Sequence, residues 1–147
     1  MSPEQINDFI QHLNEMFNQP DITIAYQIFA QLFVAHVPLM PMLNRAGFMD
    51  FIESFYAAFP DFRQDIHESI ITEDRVVLRV TYHGTQRGDF LGIPATGCVV
   101  KIPSMCIFRI ADGLIVENWM EMDIFGVLRQ ISNGKALAAN RYVQSVN

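Results

Sequence analysis

The sequence predicts an α+β domain in which helices come first and a mostly antiparallel sheet follows. Two periodicities carry that reading. Up to residue 59 the large apolar side chains recur every three or four positions, the spacing of a helix face. From Phe62 onward, runs rich in Val and Ile alternate with polar residues at the period of a strand. Pro60 marks the changeover, because proline cannot continue a helix. Helices followed by a meander pack on one face of the sheet, and a sheet that curves around them leaves a pocket between the layers.

Each element has a local reason. Ser2 caps the first helix, Pro3 suits its first turn and Gln5 completes a capping box. Ile6, Phe9, Ile10, Leu13, Met16 and Phe17 form its apolar face. Pro20-Asp21 restarts a second helix, with Ile24, Ile28, Phe29, Leu32 and Phe33 on one stripe. Residues 34–44, with Pro38 and Pro41, read as an irregular apolar loop. A third helix over 45–59 turns Phe48, Phe51, Ile52, Phe55 and Phe59 inward. Strands are predicted over 62–72, 74–85, 97–111 and 114–123. Glu73-Asp74 and Asp112-Gly113 make hairpin turns, and Asp-Gly favours type I′. A Gly/Pro loop covers 86–97, a short helical turn covers 124–130, and the tail 132–147 is expected to be helical or mobile beyond a domain of residues 1–131.

Composition excludes several function classes. The chain has 147 residues, a formal net charge of −6 and no run of Lys or Arg, a balance that repels phosphate backbones and argues against nucleic acid. No stretch reaches the ~18 apolar residues of a membrane span. Met1-Ser2-Pro3-Glu4-Gln5 has neither a basic nor an apolar leader region, so a cytoplasmic location is expected. Cys98 and Cys106 fall on one strand, roughly 26 Å apart at ~3.3 Å per residue, too far for a disulfide. The four His are scattered without metal-ligand spacing, so no metal is predicted. Ser and Cys lack a neighbouring base, which argues against covalent catalysis.

The most informative stretch runs from Ile115 to Asp123. Alternation puts Glu117, Trp119, Glu121 and Asp123 on one strand face. If that face borders an apolar cavity, Asp123 is poorly solvated, and desolvation raises a carboxyl pKa into the range useful for proton transfer. Asp123 is therefore the candidate general acid/base. Its position at a strand-to-helix junction also fits a helix N-cap. Trp119 is expected to line the pocket, while Glu117 and Glu121 read as surface residues. His83 shares a polar strand face with Arg79 and Thr81 and is a candidate helper to Asp123. His36, before Pro38, is a candidate for the pocket mouth; His12 and His67 read as surface residues. Phe55 and Phe59 of the third helix are candidates to border a planar ligand.

Four motifs stand in order: Ala58-Phe59-Pro60-Asp61-Phe62, the run from Gly84 to Gly97, the run from Phe108 to Trp119, and Asp123-Ile124-Phe125-Gly126-Val127-Leu128-Arg129-Gln130. The set resembles the SnoaL-like polyketide cyclase family of the NTF2-like superfamily, over about Phe29 to Ile131. The resemblance implies a cone-shaped fold with one deep apolar pocket and an aspartate at the end of the Trp-bearing strand, here Asp123. It implies a cofactor-free intramolecular aldol condensation that closes a ring of an aromatic polyketide ester. The family commonly reads Gly-Thr-His where this chain has Gly84-Thr85-Gln86, and known cyclases assist the aspartate with a His on the preceding strand. That strand here carries Met105, Ile107 and Arg109, taken as pocket residues, with Arg109 able to stabilise an enolate oxygen. The partner expected is a hydrophobic small molecule. The alternative is a non-catalytic binding or self-association module built on the same cone. Val, Ile and Met on both faces of the last two strands also predict a homodimer.

Overall fold

A computed structural model describes residues 2–18 and 22–132. Helix α1 (Pro3–Asn18) and the short α2 (Ile22–Ile28) lead into β1 (Phe29–His36). A two-residue β2 (Leu43–Asn44) precedes α3 (Arg45–Ala58). The strands β3 (Arg63–Ile71), β4 (Arg75–Thr85), β5 (Val99–Ala111) and β6 (Leu114–Met122) follow, and α4 (Ile124–Ser132) comes after them. The strands form one open six-stranded sheet in the order β2-β1-β6-β5-β4-β3. All neighbours are antiparallel except β1 and β6, which run parallel. This is the predicted α+β plan, with helices on a curved, unclosed sheet. The predicted tail beyond Ser132 and the helix start at Pro20-Asp21 lie outside the described residues.

The local signals act as read. Ser2 and Gln5 close a reciprocal capping box, Gln5 N–H to Ser2 Oγ at 3.2 Å and Ser2 N–H to Gln5 Oε1 at 2.8 Å. Asn44 caps α3 by accepting from Gly47 N–H at 2.8 Å. Asp112 and Gly113 both have positive φ, 52° and 75°, as a type I′ turn requires.

The predicted second helix needs correction. It stops at Ile28, and 29–36 is a strand, not a helix end and a loop. The four-residue spacing of Phe29 and Phe33 imitated a helix. An even spacing also puts both residues on one face of a strand, and the pairing of β1 with β6 shifts between Phe29 and Val34. Beyond that shift Phe33, Ala35 and Val37 are buried in strict alternation. Short apolar runs of this kind read equally well as helix or strand.

One irregularity decides which face of β6 meets the helices. Next to the turn, Ala111 pairs with Leu114 and Ile110 with Ile115. One step on, Arg109 pairs with Glu117, so Val116 is an extra residue in β6. A bulge of one residue turns every later side chain to the other face. Without it Trp119 would stand opposite Cys106, whose side chain is buried. With it, Trp119 pairs with Ile107 on the outer face, while Asn118, Met120 and Met122 turn inward beside Phe108, Cys106 and Ser104.

The loop 86–97 is held by Gln86, which is fully buried. Its Nε2 donates to the Ile93 and Pro94 carbonyls at 2.9 and 3.3 Å. Its Oε1 accepts from Thr96 N–H at 3.2 Å and Thr96 Oγ1 at 2.6 Å. The amide thus fills the position where the resemblance led one to expect a histidine. At the other end of the corner Asp61 accepts from Thr85 N–H and Thr85 Oγ1, each at 2.6 Å, which lowers its carboxyl pKa below the usual value.

Gln86→Ala strips both Thr96 groups and two loop carbonyls of their partner. We expect a loss of about 2–4 kcal/mol in urea unfolding, since each buried group left unpaired costs ~1–3 kcal/mol.

Candidate functional site

The sheet has two chemically different faces. The inner face and the helices enclose an apolar hollow lined by Phe17 of α1, Phe51, Ile52, Phe55 and Tyr56 of α3, Phe62, Tyr82 of β4, and Met120 and Met122 of β6. The cavity itself is about 20 Å³, room for one water molecule. A larger ligand has to spread the rings, and the flexible methionines and the ring edges are the parts that can yield. Phe55 is the hub of this wall. Its ring centroid lies 5.3 Å from Phe59, 5.4 Å from Phe62 and 5.4 Å from Phe90.

Two tyrosines interrupt the hydrocarbon. Tyr56 directs its hydroxyl to the Met16 and Phe17 carbonyls at 2.9 and 2.7 Å, tying α3 to the end of α1. Burial pushes its pKa up to about 12. Tyr82 is buried, with its hydroxyl 3.3 Å from Cys106 Sγ. Burial first, and the neighbouring thiol second, push its phenol well above the usual value of 10.0. Burial likewise raises the Cys106 thiol, so both groups hold their protons. Ser104 stands behind them, 3.9 Å from Cys106 Sγ, and donates to the Glu121 carbonyl at 2.7 Å.

Several residues expected at the pocket lie on the outer face instead. Trp119 stacks on His36, with centroids 5.4 Å apart and planes 8° from parallel, and Arg75 lies over its ring at 5.6 Å. His36 Nε2 is 2.9 Å from Glu117 Oε2, and Arg109 Nη2 donates to Glu117 Oε1 at 3.0 Å. Trp119, His36 and Arg109, expected at the hollow, thus lie on the outer face; for Trp119 the cause is the bulge at Val116, while His36 of β1 and Arg109 of β5 stand on that face in their own strands. Met105 and Ile107 share that outer face and are exposed. Phe59 is fully buried but packs behind Phe55, against Gly84, where an added Cβ would come within 2.8 Å of it. Of the expected substrate-binding residues only Phe55 lines the hollow.

The three candidate catalytic residues are not brought together. His83 faces outward from β4, its Nε2 2.8 Å from Asp65 Oδ2, though no hydrogen-bond geometry is met there. Arg109 is committed to Glu117. Asp123 caps α4, its Oδ1 accepting from Gly126 N–H at 2.9 Å. A side chain at position 126 would collide with that carboxylate, which is why the cap needs glycine. Asp123 is exposed and opens onto an outer groove of about 470 Å³ that also includes His67, Arg79, Ser104, Met105, Glu121 and Met122. The N-cap reading of Asp123 thus describes its bonding, and its expected desolvation is not seen. Met122 borders both the groove and the hollow.

Glu117, like Asp61, is a carboxylate whose surroundings lower its pKa. The hydrogen bond with His36 is the largest influence, followed by burial in the opposite sense and then Arg109, and the result lies below the usual 4.5. Sequence reasoning missed Tyr82, Met120 and Met122 as wall residues. The available signal was the alternation Val76, Leu78, Val80, Tyr82 on β4, which marks an inner face independently of β6. No group of three or more His, Cys, Asp or Glu able to hold a metal occurs among the described residues. No helix among them is long and apolar enough to cross a membrane.

Comparison with known proteins agrees with this architecture. The profile of the SnoaL-like polyketide cyclase family matches residues 7–131. The match begins in α1, earlier than the motifs alone had reached. TsrD from Streptomyces laurentii is 25% identical and superposes with a TM-score of 0.80, over 89% of this chain and 97% of its own. IdmH from Streptomyces antibioticus, a candidate polyketide cyclase, is 29% identical with a TM-score of 0.77, over 86% and 97%. AclR from Streptomyces galilaeus, a candidate hydroxylase, is 23% identical and shares the fold at a TM-score of 0.81, over 90% and 98%. No curated protein matches the sequence.

The lowered carboxyl of Glu117 stabilises the fold above its unfolded value near 4.5, and that contribution is lost as pH falls through the still lower folded value. Glu117→Gln removes it. In urea unfolding between about pH 3 and 7 we expect the variant to be weaker at neutrality and its acid-side slope shallower than wild type.

Proposed function

The chain belongs to the SnoaL-like polyketide cyclase family, and from that premise we propose that it is a cofactor-independent enzyme acting on a hydrophobic carbonyl compound held in the cone. The observation that carries this reading is the hollow lined by aromatic rings, methionines and one isoleucine, with no charged residue in its wall. Such a wall takes up a flexible apolar chain and folds it, and orientation of that kind is worth several kcal/mol in an intramolecular reaction. The reaction proposed is an aldol ring closure. A base removes a proton from carbon next to a carbonyl, the enolate attacks a second carbonyl, and the new alkoxide takes up a proton.

Asp123 is the residue we assign to that proton transfer. It adjoins Met122, which walls the hollow, and Oδ2 has no partner among the described residues. Proton transfer by a positioned side chain contributes ~10²–10⁴-fold. A second reading has its own support. Asp123 is exposed in the outer groove, and His83 and Arg109 are engaged elsewhere, which favours a binding module without catalysis. The exposed Val99, Met105 and Ile107 on the outer face are where we place contact with a second copy in a homodimer.

Asp123→Asn separates the readings, because Asn caps a helix as well as Asp does but cannot shuttle the proton. We expect unchanged thermal stability and a loss of about 10²-fold or more in the cyclisation of an aromatic polyketide ester, followed by product absorbance. Full activity in this variant leaves Asp123 as a cap only. No turnover by wild type, with the ester still bound, supports the binding module. Met105→Lys is expected to convert a dimer to a monomer in light scattering.

A further inference from the structure

Of the two tyrosines in the hollow, one is fully employed by the fold and the other is not. The Tyr56 hydroxyl meets two main-chain carbonyls, both good acceptors. The Tyr82 hydroxyl meets no main-chain carbonyl: it lies 3.3 Å from the Cys106 sulfur, with the Ser104 side chain as a second and lesser hydrogen-bonding neighbour. A thiol sulfur is a weak acceptor, so a buried phenol O–H paired with it forfeits much of what water would have given. Phenylalanine would fill the same space among Phe55 and Phe62 without that cost. Tyr82 belongs to the wall of the hollow, where the carbonyl oxygen of a ligand is a better acceptor than the thiol.

We propose that Tyr82 is the hydrogen-bond donor of the hollow, presenting its phenol to the carbonyl oxygen of the bound ligand, with Cys106 as the stand-in acceptor of the empty protein. This rests on the reading of the hollow as the ligand site. Several features of the wall serve the assignment. Strand alternation on β4 fixes Tyr82 inward together with Val80 and Leu78. Contacts with Phe62 at 5.2 Å and Phe55 at 6.5 Å brace the ring, so that as the methionines yield to a ligand the phenol keeps its place and its O–H turns toward it. Burial keeps the phenol protonated and therefore able to donate. Ser104 and Cys106 sit behind it and keep the thiol in place when the phenol turns away. No bond is made or broken by Tyr82. Its hydrogen bond strengthens as a carbonyl oxygen gains charge on the way to an enolate, which makes the contact worth more in the reacting state than in the bound ground state. It also orders the ligand: the carbonyl lies against β4, and the hydrocarbon lies against α3 and the two methionines.

The test uses acetophenone labelled with carbon-13 at the carbonyl, a thiol-inert aromatic ketone. Its carbonyl resonance moves downfield on accepting a hydrogen bond, and the methyl resonances of Met120 and Met122 report that it is inside. For wild type we expect shifted methionine methyls and a downfield carbonyl. In Tyr82→Phe the methyls still shift, but the carbonyl returns to its position in an apolar solvent and Kd rises about 3–10-fold, the worth of one hydrogen bond. Tyr56→Phe leaves the carbonyl shift as in wild type. Cys106→Ser gives the phenol a stronger internal acceptor and should weaken binding by a few-fold, a result open even if Tyr82→Phe folds poorly. A carbonyl resonance and affinity unchanged by Tyr82→Phe, or an affinity unchanged by Cys106→Ser, overturns the assignment while leaving the hollow as a ligand site. Methionine methyls that never respond to the ketone overturn both.

Discussion

The bulge at Val116 is the constraint on which the rest of this structure depends. A sheet strand has only two faces, and one inserted residue exchanges them. It places Asn118, Met120 and Met122 toward the helices and sends Glu117, Trp119 and Glu121 outward. Had β6 paired with β5 without the shift, an indole and two carboxylates would project into the helix layer, and the methionines that soften the hollow would face away from it. Burying two carboxylates without partners costs far more than an apolar wall can return. The bulge therefore sorts charge from hydrocarbon at a single point in the chain.

The two faces of the sheet divide the labour accordingly. Outside, Glu117 is clamped by His36 and Arg109, with Trp119 sandwiched between His36 and Arg75. Glu117 finds its partners on the adjacent strands β1 and β5, and Arg75 reaches Trp119 from β4 across β5, so the cluster ties β1, β6, β5 and β4 together. Inside, the polar atoms are few. Tyr82, Cys106 and Ser104 form a short line ending on the Glu121 carbonyl, and Asn118 donates to the Ile107 carbonyl while its Oδ1 lacks a partner among the described residues. The inner line runs toward the strand end where Asp123 caps α4. The hollow and the outer groove are thus neighbours through the sheet, with Met122 as their common wall.

The corner between α3 and β4 shows how little chemistry is needed to hold a cone open. Asp61 clamps the last residue of β4, and the buried Gln86 gathers the loop beyond it. Phe90 from that loop rests on Phe55 and Phe59, so the loop also closes the aromatic wall from behind. A neutral amide suits this task, which is to satisfy two donors and two acceptors in fixed places; a neutral imidazole, with one N–H and one lone pair, would meet only half of them.

The sequence by itself determined what depends on neighbours in the chain. The capping box at Ser2, the helix of α3 and its end before Pro60, the long strands and the type I′ turn at Asp112-Gly113 are all short-range effects, and all are present. The family likeness rested on motifs of the same local kind. The tertiary structure alone decided two things. It made Phe29–His36 a strand, because pairing with β6 outweighed a spacing that suited a helix equally well. It also decided which parity of β6 faces the hollow. Alternation in a sequence fixes that residues share a face, but which face is inner depends on register with the partner strand, and a one-residue shift in that register leaves no mark on the alternation itself.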